Sequence, residues 1–388
     1  MNQTITSRLQ TEFIARFGNE PIVIASPGRI NLIGEHTDYN NGFVMPAAID
    51  KKIYCAMAKN GTSDQCTINS LSLNDSFSFK LDAIERNEST NWINYIIGVV
   101  AIIRKEHKLD AGFDILIDSD LPLGAGLSSS AALENAIAFG LNRMFKLAIP
   151  KEKLIYISQE AEHTYALVEC GIMDQYSSAF GKEDHLLMLD CQSISSEDIP
   201  AIFEPYELWL LNTNVSHNLA ESEYNIRRQE CRAAIQLINE KFKTIDSFRD
   251  LTIEDIPNLE KILPEILFKR VSYVIEENER VVKAATALKD NDLVTFGKML
   301  YEAHEGQQNK YEVSCRELDF LVDYSREVSE VLGSRMMGGG FGGCTINLIH
   351  KDIAESYVND IATAYEKEFQ IALTPLKVNI DKGTYILD

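Results

Sequence analysis

Residues 28–40 read GRINLIGEHTDYN and follow a short apolar run, Ile22 to Ala25, which predicts a buried strand ended by the turn residues at 26–28. The segment places Arg, Glu, His and Asp within a dozen residues, among alternating Ile and Leu. Unpaired charges are costly to bury, so this stretch is not ordinary core. Carboxylates and an imidazole pair well with adjacent hydroxyls, which favours a partly buried pocket for a polyol. A purely structural loop fits the spacing equally well.

A second segment, residues 121–132 (LPLGAGLSSSAA), runs from a Gly-containing turn into the Ser-rich start of a helix. Glycine lets the backbone approach an anion closely, and the first turn of a helix offers unpaired N–H groups with partial positive charge. The serines add hydroxyls that can ligate Mg²⁺. Because the Gly-Lys-Ser/Thr of a P-loop is missing, we predict a phosphate-binding loop of another type. The alternative is a plain serine N-cap.

A third segment, residues 336–344 (MMGGGFGGC), contains five glycines and satisfies G-x-G-x-x-G by count. A dinucleotide fingerprint requires a strand, the loop and then a helix. Here we predict a helix before the loop and a strand after it, which excludes a Rossmann site. The glycines indicate close backbone packing against a ligand or another loop, with an ordinary turn as the alternative.

Composition and charge narrow the class of protein. The chain has 388 residues, which suggests two domains or three, and its 45% apolar and 24% charged residues are ordinary for a globular protein. Its net charge of −21 repels phosphate backbones and anionic lipid, so we expect no nucleic-acid or membrane partner. The same field repels ATP, so a polyanion would need local backbone donors, a few placed cations or a metal.

Cysteine usage and hydropathy favour the cytoplasm. The seven cysteines are scattered without a C-x-x-C spacing, which is typical of reduced protein rather than of a disulfide framework or a zinc site. Residues 1–16 contain no apolar run like that of a signal peptide. The longest apolar stretch, residues 95–103, is too short to span a bilayer.

The order of predicted elements indicates an α+β protein of two domains. Predicted helices span 9–17, 92–105, 128–144, 151–169, 219–241, 265–288, 291–307, 316–332 and 351–367, and predicted strands span 22–25, 53–58, 66–79, 113–117, 186–189, 208–211, 344–349 and 374–387. A mixed sheet-and-helix half is thus followed by a helix-richer half. We place the boundary in the polar stretch 192–200, which gives domains 1–195 and 200–388, and a cleft between two domains is a common ligand site.

Together the three segments resemble the galactokinases of the GHMP small-molecule kinase family, over most of the chain. Residues 28–50, which end in MPAAID, are similar to the highly specific galactokinase signature, whereas the two Gly-containing segments are shared by the wider family. Residues 170–176 (CGIMDQY) are similar to the family's catalytic-aspartate stretch. The third segment departs slightly, with MMGGG where the family often has Thr and Ala, and we expect only a subtle effect on loop packing.

The resemblance implies a GHMP kinase fold with the active site between two α+β domains. It also implies transfer of a phosphoryl group from ATP to the anomeric hydroxyl of galactose, the first phosphorylation step of galactose catabolism (the Leloir pathway). Asp174 would accept the proton of the C1 hydroxyl, and Arg29 beside it would stabilise the transition state. The alternatives are a helix N-cap for Asp174 and a loop salt bridge for Arg29.

Binding roles also follow from the resemblance. The implied galactose ligands are Glu35, His36, Thr37, Asp38 and Tyr224. The implied phosphate-binding residues are Gly124, Ala125, Gly126, Leu127, Ser128, Ser129 and Ser130, with Ser70 touching the nucleotide and Trp92 near the adenine. Mg²⁺ would be held by Ser130 and Glu162 through hard oxygen ligands, completed by water and phosphate. A half-buried helix position for Tyr224 and a solvated helix face for Glu162 are the alternatives.

Two rival functions remain open. One is another sugar 1-kinase of the same family, acting on N-acetylgalactosamine or arabinose. The other is a non-catalytic galactose sensor that binds ATP, sugar and then a regulatory partner. The intact stretch 128–132, together with Arg29 and Asp174, favours an enzyme, and no obligatory protein partner is implied.

Overall fold

The computed structural model describes residues 2–122, 124–216 and 220–387. Its strands are β1 (Ile22–Asn31), β2 (Phe43–Val44), β3 (Pro46–Lys59), β4 (Gln65–Ser70), β5 (Asp75–Lys80), β6 (Phe113–Ser119), β7 (His185–Asp190), β8 (Ser195–Pro200), β9 (Tyr206–Ser216), β10 (Val331–Met337), β11 (Gly342–His350), β12 (Thr374–Val378) and β13 (Tyr385–Leu387). Its helices are α1 (Asn2–Phe17), α2 (Asn91–Glu106), α3 (Ser129–Met144), α4 (Lys151–Ala161), α5 (Met173–Phe180), α6 (Ala220–Lys241), α7 (Ile256–Ile262), α8 (Glu265–Lys289), α9 (Leu293–Gly306), α10 (Arg316–Arg326) and α11 (Ala354–Phe369). Short 3₁₀ turns cover Asp38–Asn40, Phe248–Asp250 and Ile253–Asp255, and π-helical turns cover Glu162–Ala166 and Gln307–Tyr311. The expected α+β class is therefore correct.

The first half of the chain is built on a six-stranded sheet with the order β13-β1-β3-β6-β4-β5. Alternate residues of a strand point to opposite faces. On one face Ile24 joins the main core together with α2 and α3, and on the other face Val23 packs in a smaller cluster with Leu9 and Phe13 of α1. Burial on both faces explains why the sequence at 22–25 is continuously apolar.

Strand β1 extends beyond the point where the sequence predicted its end. The turn residues at 26–28 do not stop it, and it continues to Asn31 in antiparallel pairing with β3. The register shifts between Pro27 and Arg29. A bulge of this kind changes the direction in which side chains project, so the strand itself carries Arg29 into the site described below.

The second half contains a four-stranded sheet with the order β10-β11-β9-β12. The helix predicted over 316–332 ends at Arg326, and β10 begins at Val331. The third glycine segment is therefore the loop of an antiparallel β10–β11 hairpin rather than a helix-to-strand connection. Because a strand still follows the loop, the exclusion of a Rossmann site holds. The predicted first residue of α6, Leu219, lies outside the described residues.

The predicted boundary region is itself structured. Residues 195–200 form β8, which pairs with β7 in a three-stranded sheet of order β2-β7-β8. The last strand, β13, returns to the first half and pairs with β1. We propose that the two domains divide near residues 195–200, with this final strand crossing back. In the parts of the chain that the structure describes, no helix is both long and apolar enough to cross a membrane.

Candidate active site

A cavity of about 260 Å³ lies where the loop after β1, the turn before α5, the start of α6 and the β10–β11 loop meet. Both halves of the chain therefore contribute to its walls. Seven of the residues singled out from the sequence line it: Arg29, Glu35, His36, Asp38, Glu162, Asp174 and Tyr224. The remaining lining residues are Leu167, Val168, Cys170, Gly171, Met173, Asn225, Gly338, Gly339 and Gly340.

A buried ion pair forms the centre of this cavity. Arg29 Nε donates to Asp174 Oδ1 at 2.7 Å and Arg29 Nη2 donates to Oδ2 at 2.9 Å, so the pair is bidentate. The third nitrogen, Nη1, donates to the carbonyl oxygen of Gly126 at 2.6 Å. Burial alone would lower the pKa of Arg29, but the charge of Asp174 raises it above its usual value. Only 6% of the Arg29 side chain is exposed, so this is not the weak surface salt bridge of the alternative interpretation.

Asp174 lies in the first turn of α5, which begins at Met173 with Ile172 as its N-cap. The suggestion that Asp174 itself caps the helix is therefore wrong. The amide dipoles of the first turn favour negative charge at this position. Its Oδ2 also accepts a hydrogen bond from the hydroxyl of Ser128. About a quarter of the Asp174 side chain remains exposed to the cavity.

The predicted phosphate-binding loop adjoins this pair. Gly124 and Gly126 have φ values of +71° and +70°, and Ser128 is also left-handed, which lets the chain curl tightly before α3 starts at Ser129. Ser128 occupies the N-cap position of α3, as the alternative interpretation expected, but its hydroxyl donates to Asp174 and makes no capping hydrogen bond. The backbone N–H of Arg29 donates to the carbonyl oxygen of Leu127 at 3.1 Å, which fixes the loop against β1. Leu123 of this segment lies outside the described residues.

The two predicted metal ligands are neighbours, because the Ser130 hydroxyl lies near enough to the Glu162 carboxylate to favour its charged form and oppose the rise in its pKa. The helix predicted over 151–169 ends at Ala161, and Glu162 begins a π-helical turn, a feature often found at functional sites. Glu162 is 5% exposed, so the solvated-face interpretation is wrong. Burial, and next the charge of Asp174, raise the pKa of Glu162 to about 7.

Glu35 is held by groups from the second half of the chain. Its Oε1 accepts from the backbone N–H of Gly338 at 2.8 Å and from Arg335 Nη2 at 3.2 Å. Arg335 is completely buried on β10, and its Nε donates to the carbonyl oxygen of Leu32 at 2.7 Å. Our sequence analysis missed Arg335. The signal that could have found it is a single arginine within an otherwise apolar strand.

His36 sits in left-handed backbone, with φ at +62°, and is surrounded by aromatic rings. Its Nε2 faces the carbonyl oxygen of Gly339 at 3.2 Å and therefore carries the proton, while Nδ1 accepts from the Tyr39 hydroxyl at 2.8 Å. Burial lowers the pKa of His36 to about 3, so the ring is neutral. The ring of Tyr224 lies with its centroid 5.5 Å from that of His36.

Asp38 completes this side of the cavity lining. Burial, followed by the charge of Asp174, raises the pKa of Asp38 to about 6. Its Oδ2 lies only 1.9 Å from the point where a Cβ on Gly171 would stand, so position 171 must be glycine if Asp38 is to keep this place.

Residues 124–130 adjoin the cavity without lining it, and three further predicted residues also lie outside its lining. The Thr37 hydroxyl lies 2.8 Å from the carbonyl oxygen of Gly34 and 2.6 Å from that of Phe43, so it fixes the loop. Ser70 Oγ accepts from the N–H of Leu73 at 3.2 Å in the turn after β4. Trp92 Nε1 donates to an aspartate carboxylate on β5 at 3.0 Å. The roles of Ser70 and Trp92 toward the nucleotide stay predictions.

Comparisons with known proteins address the same segments. Residues 11–59 match the galactokinase galactose-binding signature, residues 94–182 the N-terminal domain of GHMP kinases, and residues 284–367 their C-terminal domain. A galactokinase of Thermotoga petrophila is 43% identical over 360 residues, covering 93% of this chain and 98% of that protein. A galactokinase of Thermosipho africanus is 42% identical with the same coverage.

Solved structures extend the comparison. A Lactococcus lactis galactokinase complexed with galactose superimposes with a TM-score of 0.94 at 32% identity, covering 99% of this chain and 100% of that one. A Methanococcus jannaschii mevalonate kinase superimposes with a TM-score of 0.66 at 17% identity, covering 93% of this chain and 99% of that one. The second likeness shows a shared fold alone.

Proposed function

This chain belongs to the galactokinases of the GHMP kinase family and is an ATP-dependent sugar kinase, and we propose that it converts ATP and D-galactose to ADP and galactose 1-phosphate. The resemblance drawn from the three segments and the expected fold are thereby confirmed. The observation that carries the proposed chemistry is the bidentate Arg29–Asp174 pair in the cavity lining, with the residue 124–130 loop joined to Arg29 through the Gly126 carbonyl oxygen.

The pair supports a direct phosphoryl transfer. Asp174 accepts the proton of the C1 hydroxyl as the sugar oxygen attacks the γ-phosphorus, and the O–P bond to ADP breaks. Arg29 balances the negative charge that gathers on the transferred group. Phosphoryl transfer depends mainly on positioning and electrostatics, so an ordinary carboxylate in the right place suffices. The Ser128 hydroxyl holds the same carboxylate from the phosphate side.

Galactose is held by the opposite wall. The carboxylates of Glu35 and Asp38 accept hydrogen bonds from neighbouring sugar hydroxyls, and the Tyr224 hydroxyl adds a donor. Both ring nitrogens of His36 already contact protein groups, so its contribution is to shape the wall or to exchange the Gly339 contact for a sugar hydroxyl. Thr37 acts through the loop rather than on the sugar.

The ATP phosphates are held by residues 124–130, through backbone amides and the start of α3. The residues at 130 and 162 fit Mg²⁺, since a hydroxyl lies against a buried carboxylate that has not been neutralised by a lysine or arginine partner among the described residues. Within residues 2–122, 124–216 and 220–387 no three His, Cys, Asp or Glu side chains converge as a metal site, so Ser130 and Glu162 would share the ion with water and phosphate. When bound, Mg²⁺ neutralises phosphate charge.

We further propose a cytoplasmic enzyme that needs only its small-molecule substrates. All seven cysteines are free thiols, as a reducing compartment requires. The net charge of −21 supports the expectation that nucleic acid and anionic membranes are not ligands.

A substrate panel tests the proposal. ADP release from Mg²⁺ and ATP is measured with galactose, N-acetylgalactosamine and arabinose, and the product is identified by ³¹P NMR as the anomeric phosphate. We expect kcat/KM to be highest with galactose. Equal or higher values with the other sugars would reassign the specificity, and galactose binding without ADP release would indicate a sensor.

A further inference from the structure

A polar chain lies behind the cavity wall, in the core between α3 and α5. Gln175 and Glu134 are both completely buried. Gln175 Nε2 donates to Glu162 Oε2 at 2.6 Å and to Glu134 Oε2 at 3.1 Å, so both N–H groups of one amide donate to side-chain carboxyl groups.

We infer that Gln175 is a positioning residue that holds Glu162 toward Ser130 for the metal, and that Glu134 fixes Gln175 from behind. This inference rests on the proposed role of Glu162 in binding Mg²⁺. It adds two residues to that site, neither of which touches the ion.

Helix α3 presents two groups toward Glu162. Ser130 and Glu134 are four residues apart and therefore lie on the same face of the helix. The Ser130 hydroxyl lies beside the Glu162 carboxylate, and Glu134 reaches the same carboxylate one turn deeper through Gln175. Glu162 is thus gripped from two successive turns of one helix. The Asn135 side chain also donates to the backbone oxygen of Gln175 at 2.9 Å, which anchors the bridging residue.

The energetic cost of burying the Glu162–Gln175–Glu134 network argues against a purely structural role in the core. Burying carboxylates and an amide is costly, and an apolar set of similar volume is often at least as stable. In the part of the chain that the structure describes, Glu134 Oε1 and Gln175 Oε1 have no hydrogen-bond partner, so the cost is not fully recovered. Substituting a group that orients a ligating carboxylate, by contrast, typically lowers metal affinity ten- to hundred-fold.

The test compares nucleotide affinity with and without metal. Calorimetry gives the Kd of β,γ-imido-ATP in excess Mg²⁺ and in EDTA. The Kd in EDTA divided by the Kd in Mg²⁺ is the ratio that measures the metal's contribution. In Gln175→Met, which keeps the shape but cannot donate, we expect the benefit of Mg²⁺ to fall about ten-fold or more. The Mg²⁺ concentration for half-maximal turnover should rise in parallel, while KM for galactose stays within about two-fold.

Two reference variants frame the result. Glu162→Gln should lose the metal benefit directly. Ser158→Ala removes a completely buried hydroxyl from the neighbouring α4. This hydroxyl has no hydrogen-bond partner among the described residues, so the variant should behave as the unaltered protein. If Gln175→Met does not fold, as judged by thermal melting, Glu134→Leu and Glu134→Gln replace it. The leucine removes the acceptor for Gln175 and should lower the ratio more than the glutamine, which keeps an acceptor.

The outcomes separate the two claims. An unchanged ratio in folded Gln175→Met, alongside a lowered ratio in Glu162→Gln, would overturn the positioning role alone. An unchanged ratio in Glu162→Gln would instead overturn the metal assignment on which it rests. Equal losses in Ser158→Ala and Gln175→Met would show that general loosening of the core is responsible.

Discussion

The proposed sugar wall of the cavity and the proposed phosphate wall beside it are built in different ways. The sugar wall joins the two halves of the chain, since Glu35 bonds Gly338 and Arg335 and His36 bonds Gly339. What we call the phosphate wall is one continuous segment, residues 124–130, which adjoins the cavity at Arg29 and which we propose binds the ATP phosphates, and in it the glycines at 124 and 126 are exposed. A sugar offers neutral hydroxyls, so discrimination requires acceptors that are fixed before it binds. A triphosphate offers charge, which exposed amides and a metal can hold with less prior order.

The largest expected effect lies where the walls meet. Asp174→Asn keeps the shape of the side chain and one acceptor for Arg29 but cannot take the C1 proton. We expect kcat to fall roughly 10²- to 10⁴-fold, the usual range for loss of a general base. The galactose Kd, measured by calorimetry, should change by only a few-fold. Turnover within ten-fold of the unaltered enzyme would remove Asp174 from proton transfer.

A second prediction tests whether the walls act separately. Glu35→Ala removes the acceptor for Gly338 and leaves Arg335 buried without its carboxylate. Hydrogen bonds to charged groups contribute about 1.5–3 kcal/mol, so KM for galactose should rise roughly ten- to hundred-fold. KM for MgATP should stay within about two-fold.

Ser130→Ala is the matched change on the phosphate wall. It should raise the Mg²⁺ concentration needed for half-maximal turnover and leave KM for galactose unaltered. If either Glu35→Ala or Ser130→Ala changed the KM values for galactose and MgATP equally, the two walls would not act separately. Glu35→Gln, which keeps an acceptor for the Gly338 amide, should have the smaller effect of the two Glu35 variants.

A third prediction compares one glycine from each wall. In Gly171→Ala the new Cβ would stand 1.9 Å from Asp38 Oδ2, so Asp38 must move and KM for galactose should rise about ten-fold, equivalent to about 1.4 kcal/mol. In Gly124→Ala nothing lies within 4 Å of the new Cβ, and only the left-handed φ opposes the change, at a cost of about 1–2 kcal/mol. Steady-state kinetics should show a smaller, MgATP-directed effect for Gly124→Ala.

The two walls also differ in how much of each could be predicted from the sequence. Residues 28–40 and 124–130 are local patterns: the first contributes Arg29, Glu35, His36 and Asp38 to the cavity lining, and the second adjoins the cavity through the contact of the Gly126 carbonyl oxygen with Arg29. Arg335 escaped because its partners at positions 31, 32 and 35 are about 300 residues away, and periodicity carries no information about such contacts. The Gln175 bridge escaped for the same reason, since it joins α3, the π-helical turn and α5.

Element boundaries failed where local preference and tertiary pairing disagree. The sequence VLGSRMM of β10 contains Leu, Arg and Met, which favour helices, yet pairing with β11 imposes a strand. At Glu162 the residues continue a good helical pattern, but the chain widens into a π-helical turn where the carboxylate meets Ser130 and Gln175. Both errors fall beside the functional site, where contacts across the fold override local propensity.

The smallest expected effect concerns stability rather than activity. Because burial and the Asp174 charge raise the pKa of Asp38 from its usual value near 3.8 to about 6, the folded protein holds a proton that the unfolded chain releases. The stability from this proton is fully present below about pH 4 and is lost as pH rises through about 6. Asp38→Asn is neutral throughout, so its Tm should exceed that of the unaltered protein by an amount that grows between pH 5.5 and 7.5.

The comparison isolates Asp38, because the raised pKa of Glu162 is common to both proteins. The range starts above the sequence pI of about 4.8, where solubility is lowest. The difference in Tm should reach no more than a few degrees, since a chain of this length unfolds with a large entropy. Adding galactose should reverse it, because the substrate stabilises only the protein that keeps the Asp38 carboxylate. A Tm difference independent of pH would mean that Asp38 is already ionised at pH 5.5, and that the sugar wall is more solvated than its burial implies.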